Sequence, residues 1–407
     1  MDAAAAAKGA PVLVTGVGLI CSAGRDLNEL AAALEEGRQE CSPVPEGLFE
    51  TGLDQPVFVC REDGLARAPN RTLSLLYAAA DAALEQAGLR RQRLQTMRVG
   101  IAVGTTVGST FNNEQAYLEW AEGRGLDLDA VARYFSSDLV ACLHQRLGTS
   151  GPAAVVTNAC SSGTDAVGLG LWWLRAGLCD AAICGGADEM SRIALNGFAS
   201  LQLASKEPAR PFDRQRKGLN LGEGASVLVL EREEDAESRG AEARGAVLGY
   251  ASAADGWHPT APHPQGRGLL RAMTEALAQA GLGPEAVALI CTHGTGTKAN
   301  DSAEARALSS LYAPDHEIPP CYSLKGSVGH CLGAAGALEA ASLIHFLSTR
   351  KAPPTPGYEE PDEDTRALPL FRPGAAAEDE RSLGGNIGLN LSLAFGGANS
   401  ALILEGY

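Results

Sequence analysis

At 407 residues, 45% hydrophobic and 20% charged, with no long polar or low-complexity tract, the chain is globular and larger than one comfortable core, so two core-forming halves are expected. No apolar stretch approaches the roughly 18 residues of a membrane-crossing helix, and the Ala-rich start, Met1 to Lys8, lacks the basic and apolar regions of a secretory signal; a short disordered tail on a cytoplasmic protein is expected. A net charge of -16 argues against nucleic acid or an anionic membrane as main partner, and ten Cys without a C-x-x-C pair or a His cluster at ligand spacing argue for reduced thiols and against zinc.

In chain order, Ala82-Ala83-Leu84-Glu85-Gln86-Ala87-Gly88-Leu89 reads as a helix ending: strong helix formers, then a Gly suited to a left-handed cap. The apolar run Val99 to Val103 follows and breaks at Gly104-Thr105-Thr106. Pro152 to Val156 is a β-rich run entering the turn Asn158-Ala159-Cys160-Ser161-Ser162-Gly163, with a helix through Leu174 beyond it. The charged segment Glu231-Arg232-Glu233-Glu234-Asp235 is expected on the surface, at a boundary between Glu231 and Gly245. The helix ending then recurs as Glu275-Ala276-Leu277-Ala278-Gln279-Ala280-Gly281-Leu282, followed by the run Val287 to Cys291 and a Gly/Thr turn. Pro320 to Leu324 enters Lys325-Gly326-Ser327-Val328-Gly329-His330, then the Ala-rich helix Ala334 to Phe346. Pro353-Pro354-Thr355-Pro356 and the acidic stretch to Arg381 read as a long surface connection to two last strands, Asn386 to Leu393 and Ser400 to Leu404. The chain thus repeats itself once, and short apolar runs alternating with helices read as parallel strands covered on both faces, an α/β fold.

Three turns carry chemistry. Val155-Val156-Thr157 delivers the chain to Cys160 where a helix begins, beside unpaired backbone N–H groups and the positive end of the helix dipole. Both favour thiolate, the nucleophilic form. The competing reading is a buried apolar thiol among small residues. Ser161 and Ser162 share the turn, but neither falls in a G-x-S-x-G frame. His293 ends a strand in Thr292-His293-Gly294-Thr295-Gly296-Thr297, where Gly lets a ligand approach the backbone. His330 opens a helix, which biases imidazole towards neutral. Each His alone reads as a satisfied loop residue. Together, Cys160 and His330 sit in matching turns of the repeat, at the carboxyl ends of strands, where open α/β sheets place their sites.

Asn158 to Gly163, Arg210-Pro211-Phe212-Asp213, Gly222-Glu223-Gly224-Ala225, Thr292 to Thr297 with Asp301 and Glu304, Lys325 to His330, and Phe395-Gly396-Gly397 occur in order along the chain. The set resembles the elongating β-ketoacyl-acyl-carrier-protein synthases of the thiolase-like superfamily. The resemblance implies a five-layer α/β/α/β/α fold of two pseudo-repeated halves, residues 1–240 with the nucleophilic Cys and 241–407 with both catalytic His. By position it makes Cys160 the nucleophile that holds the acyl chain, with His293 and His330 around the malonyl thioester, assisting decarboxylation. Lys325 matches the lysine that organises the second His, with Glu304 in the same charged network. The backbone N–H groups of Cys160 and Phe395 match the oxyanion hole, and Phe395 also the gate. Thr295 and Thr297 match hydroxyls that hold the phosphopantetheine arm, while Thr260 and Ala394 fall in the substrate-binding set. The resemblance implies no metal or organic cofactor. It implies acyl carrier protein as partner, and a homodimer or a heterodimer with a related ketosynthase or chain-length-factor subunit.

Related activities fit less well. Cys331 lies one position past the turn's His, not where thiolases carry a second Cys; His330 stands where initiating synthases carry Asn; silent chain-length-factor subunits lack the nucleophilic Cys. The gate reads Leu391-Ser392-Leu393-Ala394-Phe395-Gly396-Gly397, whereas fatty-acid elongating synthases usually read Asn-Ser-Phe-Gly-Phe-Gly-Gly. Ala394 removes easy access to positive φ and is expected to stiffen the hinge. This departure, with Thr297-Lys298-Ala299, resembles specialised type II polyketide or polyene synthases more than housekeeping fatty-acid enzymes, which remain the alternative. A non-catalytic partner subunit is the reading from another class. Because carrier proteins are acidic, a basic docking patch of Arg67, Arg71 and Arg210 is expected despite the net charge.

Overall fold

Among the described residues, runs of Val, Ile, Leu, Ala and Gly bounded by turns form ten strands: β1 (Val12–Cys21), β2 (Val99–Gly104), β3 (Ala153–Val156), β4 (Ala181–Asp188), β5 (Gly224–Arg232), β6 (Gly245–Ala254), β7 (Leu289–Cys291), β8 (Cys321–Tyr322), β9 (Ile387–Leu393) and β10 (Ala398–Gly406). The computed structural model describes residues 11–407 apart from 47, 50, 62–64, 66, 67, 109, 110 and 376–380; the expected N-terminal tail and Arg67 lie outside the described residues. The strands form one hydrogen-bonded sheet in the order β3-β2-β4-β5-β1-β6-β10-β9-β7-β8.

That order is five plus five about a pseudo-two-fold. β1 pairs antiparallel with β5 as β6 does with β10, β4 with β5 as β9 with β10, and β2 runs parallel to β3 and β4 as β7 does to β8 and β9. The halves join where Val12–Val14 of β1 pairs with β6. The principal helices are α1 (Arg71–Gln86), α2 (Leu139–Leu147), α3 (Ser162–Arg175), α4 (Arg192–Ser200), α5 (Glu233–Ser238), α6 (Arg267–Ala280), α7 (Lys298–Tyr312) and α8 (Ala335–Ser348). Both α3 and α8 touch each other and strands of both halves, forming the middle layer. On the outer faces, α1 and α2 cover β1, β2, β4 and β5, while α6 and α7 cover β6, β9 and β10. Five layers result. The repeated helix endings are the ends of α1 and α6, each followed by a left-handed Gly, Gly88 at φ 66 and Gly281 at φ 67.

The repeat also aligns the reactive turns. A 3-10 turn precedes each middle helix, Ala159–Ser161 before α3 and Leu332–Ala334 before α8, and the first residues, Ala159 and Leu332, hold φ of 48 and 50. Cys160 therefore matches Gly333, and His330 enters the site from just upstream of its own turn.

Two surface expectations need correction. Pro353 to Pro356 is buried, because the segment through Leu370 lies along the β8 edge, with Cys321 N–H donating to Pro369 O at 2.8 Å. Glu231 is fully buried and accepts from Arg239 and from Thr15 Oγ1 at 2.6 Å; a carboxylate in a covered strand needs such partners. No helix among the described residues is long and apolar enough to cross a membrane.

Candidate active site

The Cys160 turn is placed by close packing. Gly104, at the end of β2, allows the start of α3 to descend onto it: a Cβ there would lie 2.3 Å from the Ser162 carbonyl carbon. Cys160 is 5% exposed, and its Sγ lies 3.0 Å from His330 Nε2. The Phe395 N–H also points at this sulfur. Burial nevertheless pushes the thiol up to about 12, against the pull of Lys325 and the Phe395 N–H. The expectation of a thiolate favoured by the helix terminus therefore fails. Desolvation outweighs it, and the proton needs an acceptor, for which His330 is in place.

His330 is held through its backbone: its N–H donates to Asn220 O at 2.8 Å, and Gly222 N–H donates back to its carbonyl at 3.0 Å. Gly222 permits this contact, since a Cβ there would lie 2.0 Å from Val328 O. The His293 N–H donates to Glu304 Oε1 at 2.6 Å and the Gly294 N–H to Oε2 at 2.9 Å. The two imidazoles stand 5.2 Å apart at 88°. Burial first, then the Lys325 charge, holds both well below the ordinary histidine value, so both are neutral.

Lys325 differs from expectation. Its Nζ donates to His293 O at 2.5 Å, lies 3.3 Å from His293 Nδ1, and pairs with Glu339 of α8. It thus organises the first His, not the second. An ammonium has only donors, so Nδ1 accepts and the neutral His293 carries its proton on Nε2. The Lys325 counter-ion is Glu339, while Glu304 serves as an acceptor for backbone N–H groups. Glu339 escaped sequence reading; the signal was a lone carboxylate in the otherwise apolar helix AGALEAASLIHFLS, which must find a partner once buried. Asp188 was also missed. It accepts from Thr105 Oγ1, the Thr106 N–H and the Gly333 N–H, tying the end of β2 to the turn before α8; burial raises it to about 6.

Thr260, Thr295, Thr297, Ala394 and Phe395 line one narrow pocket with Cys160, His293 and His330. Thr295 and Thr297 hydroxyls lie 3.0 Å apart, and Asp301 shapes their turn by accepting the Thr295, Gly296 and Phe212 N–H groups. The Phe395 ring stacks on Phe198 of α4 at 5.2 Å, and Phe198 stands edge-on to His330 at 6.3 Å. Ala394 is extended, at φ -130, so its methyl is unstrained here, while Gly396 and Gly397 hold φ of 82 and 77.

Of the expected docking arginines, Arg71 and Arg210 are each taken up by carboxylates, and Arg67 lies outside the described residues. Arg71 Nε lies 3.0 and 2.9 Å from the two Glu223 carboxylate oxygens, and the Arg71 side chain is only 15% exposed. Arg210 pairs with Asp213 at 3.2 Å and Glu359 at 3.0 Å. Buried Glu223 and Asp213 demand these counter-charges, a need sequence spacing does not reveal.

Comparison with known proteins agrees with this geometry. The model of the β-ketoacyl synthase N-terminal domain matches residues 9–236, and that of the C-terminal domain residues 244–359. The chain is 32% identical to 3-oxoacyl-[acyl-carrier-protein] synthase 2 of Synechocystis sp., covering 97% of this chain and 98% of that protein. It is 34% identical to the tetracenomycin polyketide synthase ketoacyl synthase alpha subunit of Streptomyces glaucescens, covering 97% and 96%. Among solved structures, the ishigamide ketosynthase/chain length factor superposes with a TM-score of 0.89 at 34% identity, covering 98% of this chain and 99% of that one. The chain belongs to the β-ketoacyl synthase family.

Proposed function

We propose that the protein is an acyltransferase that condenses an acyl chain held on Cys160 with malonyl-acyl carrier protein. The observation that carries this reading is the convergence of Cys160, His330 and the Phe395 N–H: Sγ lies 3.0 Å from a neutral imidazole and faces the backbone donor. In the first half-reaction His330 accepts the thiol proton as sulfur attacks the acyl thioester. The tetrahedral oxyanion is held by the Phe395 and Cys160 N–H groups, a contribution of about 3 to 4 kcal/mol per donor in related acyl transfers. The carrier's thiol leaves with the proton, and Cys160 keeps the acyl group.

In the second half-reaction the malonyl thioester oxygen meets the Nε2–H of His293, fixed as a donor by Lys325, and that of neutral His330 once it has moved its proton from Nδ1 to Nε2, the tautomer opposite to the one that served as base. Loss of carbon dioxide leaves an enolate stabilised by those donors. The enolate carbon attacks the Cys160 thioester, and collapse releases a β-ketoacyl-carrier protein and the Cys160 thiolate, which takes one proton from solvent to return to the thiol. The malonyl carboxylate supplies the driving force, so the reading needs no resident cofactor. Thr295 and Thr297 offer hydroxyls to the pantetheine arm.

The carrier protein is the expected macromolecular substrate. A second copy of this chain, or a related chain-length-factor subunit, is the expected subunit partner. The β3 edge suits it, with Val155 37% exposed at the end of the sheet and no described residues pairing along it as the segment through Leu370 does along β8. The gate, with Leu391, Leu393 and Ala394, supports a specialised type II polyketide or polyene pathway over housekeeping fatty-acid elongation. The test is purified protein with acyl-carriers of graded length and malonyl-carrier. Condensation should occur, Cys160→Ala should abolish it, and Cys160→Gln should decarboxylate malonyl-carrier without condensing. Condensation by Cys160→Ala at the wild-type rate would contradict the reading.

A further inference from the structure

One carboxylate beside the nucleophile takes no step in this reaction. Asp165 stands in the first turn of α3, 8% exposed, with no Lys or Arg partner among the described residues. A buried carboxylate without a counter-ion is tolerable only when neutral donors fill its oxygens, and two reach each. Oδ2 accepts from Asn158 Nδ2 at 2.7 Å and Ser161 Oγ at 2.9 Å, while Oδ1 accepts from the Tyr250 hydroxyl at 2.9 Å and from Ser400 Oγ.

The two oxygens serve different parts of the molecule. Asn158 and Ser161 bracket Ala159 and Cys160, the turn in which Ala159 holds a left-handed φ of 48, strained for a residue with a Cβ. Tyr250 belongs to β6 and Ser400 to β10, close behind the short segment that carries Phe395. On the other root of that segment, Ser392 Oγ of β9 lies 2.7 Å from Thr164 Oγ1. Consecutive residues of the nucleophile's helix thus hold both roots of the gate.

We propose that Asp165 is a positioning residue: its carboxylate ties the Cys160 turn to β10, the strand that directly follows the Phe395 segment, and so fixes the sulfur against its oxyanion donor. The inference rests on the acyl transfer at Cys160 proposed above. Asp165→Ala removes both acceptor oxygens, leaving all four donors without the acceptor that joins them; Asn would not do so, because the Tyr250 and Ser400 hydroxyls can turn to accept from its amide.

The test compares two reactions at the same sulfur. Acyl transfer from an acyl-carrier passes through an oxyanion, whereas alkylation by iodoacetamide does not. Asp165→Ala should lower kcat for acyl transfer about tenfold or more, as weakening of an oxyanion donor does. KM should stay within about threefold, and so should the alkylation rate. Ser400→Ala, a milder change that settles the matter if Asp165→Ala does not fold, should show the same split in smaller measure. A role confined to stability would lower acyl transfer and alkylation together, or neither, and either result overturns the inference. Wild-type protein that alkylates but takes no acyl group would overturn the proposed function itself, which separates the two failures.

Discussion

Lys325 Nζ lies 3.3 Å from His293 Nδ1 and 2.5 Å from the His293 carbonyl oxygen, which makes the buried ammonium a partner of the first His in the chain. His330 instead faces the Cys160 sulfur at 3.0 Å. The two imidazoles are therefore not interchangeable. His293→Ala should remove most malonyl-carrier decarboxylation, about 100-fold or more, while sparing acyl transfer to Cys160. Lys325→Ala should fall in the same class. His330→Ala should slow both half-reactions. Separate single-turnover assays of acylation and decarboxylation check this, and equal loss of acylation in His293→Ala and His330→Ala would contradict it.

The ionisation of Cys160 gives a pH signature. Its thiol is raised to about 12, so the thiolate fraction grows about tenfold per pH unit and has not levelled by pH 10. The iodoacetamide alkylation rate at Cys160 should climb across pH 7 to 10 without a plateau near 9. Both His are held well below 6.5, so steps that need neutral imidazole should persist as pH falls through 6.5 and fail only further down. A decarboxylation profile with a midpoint at 6.5 would show an imidazole exposed to water.

The Lys325–Glu339 pair is almost wholly buried, at 2% and 1% side-chain exposure. Glu339→Ala leaves an unpaired buried ammonium and should cost about 3 to 5 kcal/mol of stability. Removing both charges, as Lys325→Met with Glu339→Met, should cost less than Glu339→Ala alone. Denaturant unfolding of the three proteins measures the difference, and a double variant that costs as much as Glu339→Ala or more would show the charges to be uncoupled.

The gate offers a fourth test. Ala394→Gly should widen the hinge's conformational range and destabilise the folded chain by about 0.5 to 1 kcal/mol. Acylation by long acyl-carriers should quicken relative to short ones. An unchanged ratio would mean that Ala394 does not limit opening.

What was legible in the sequence was local. Cys160, His293 and His330 each sit in a Gly-marked turn between a strand and a helix, so composition over six residues exposes them. Glu339 and Asp165 sit within helices, and their meaning lies in partners that folding brings from elsewhere: Lys325 for the first, Ser400 and Tyr250 for the second. Arg71 misled for the same reason, since Glu223 is 152 positions away in the chain. The preference of Cys160 for its thiol was also hidden. Helix-end electrostatics can be read from sequence, but the depth at which the turn is buried cannot.

The central claim is that Cys160 carries the acyl chain. Incubation of the protein with an acyl-carrier, followed by intact-mass and peptide mapping, tests it most directly. One acyl equivalent should appear on the Cys160 peptide, and none in Cys160→Ala. An acyl group on another residue, formed at the same rate in Cys160→Ala, would contradict the account.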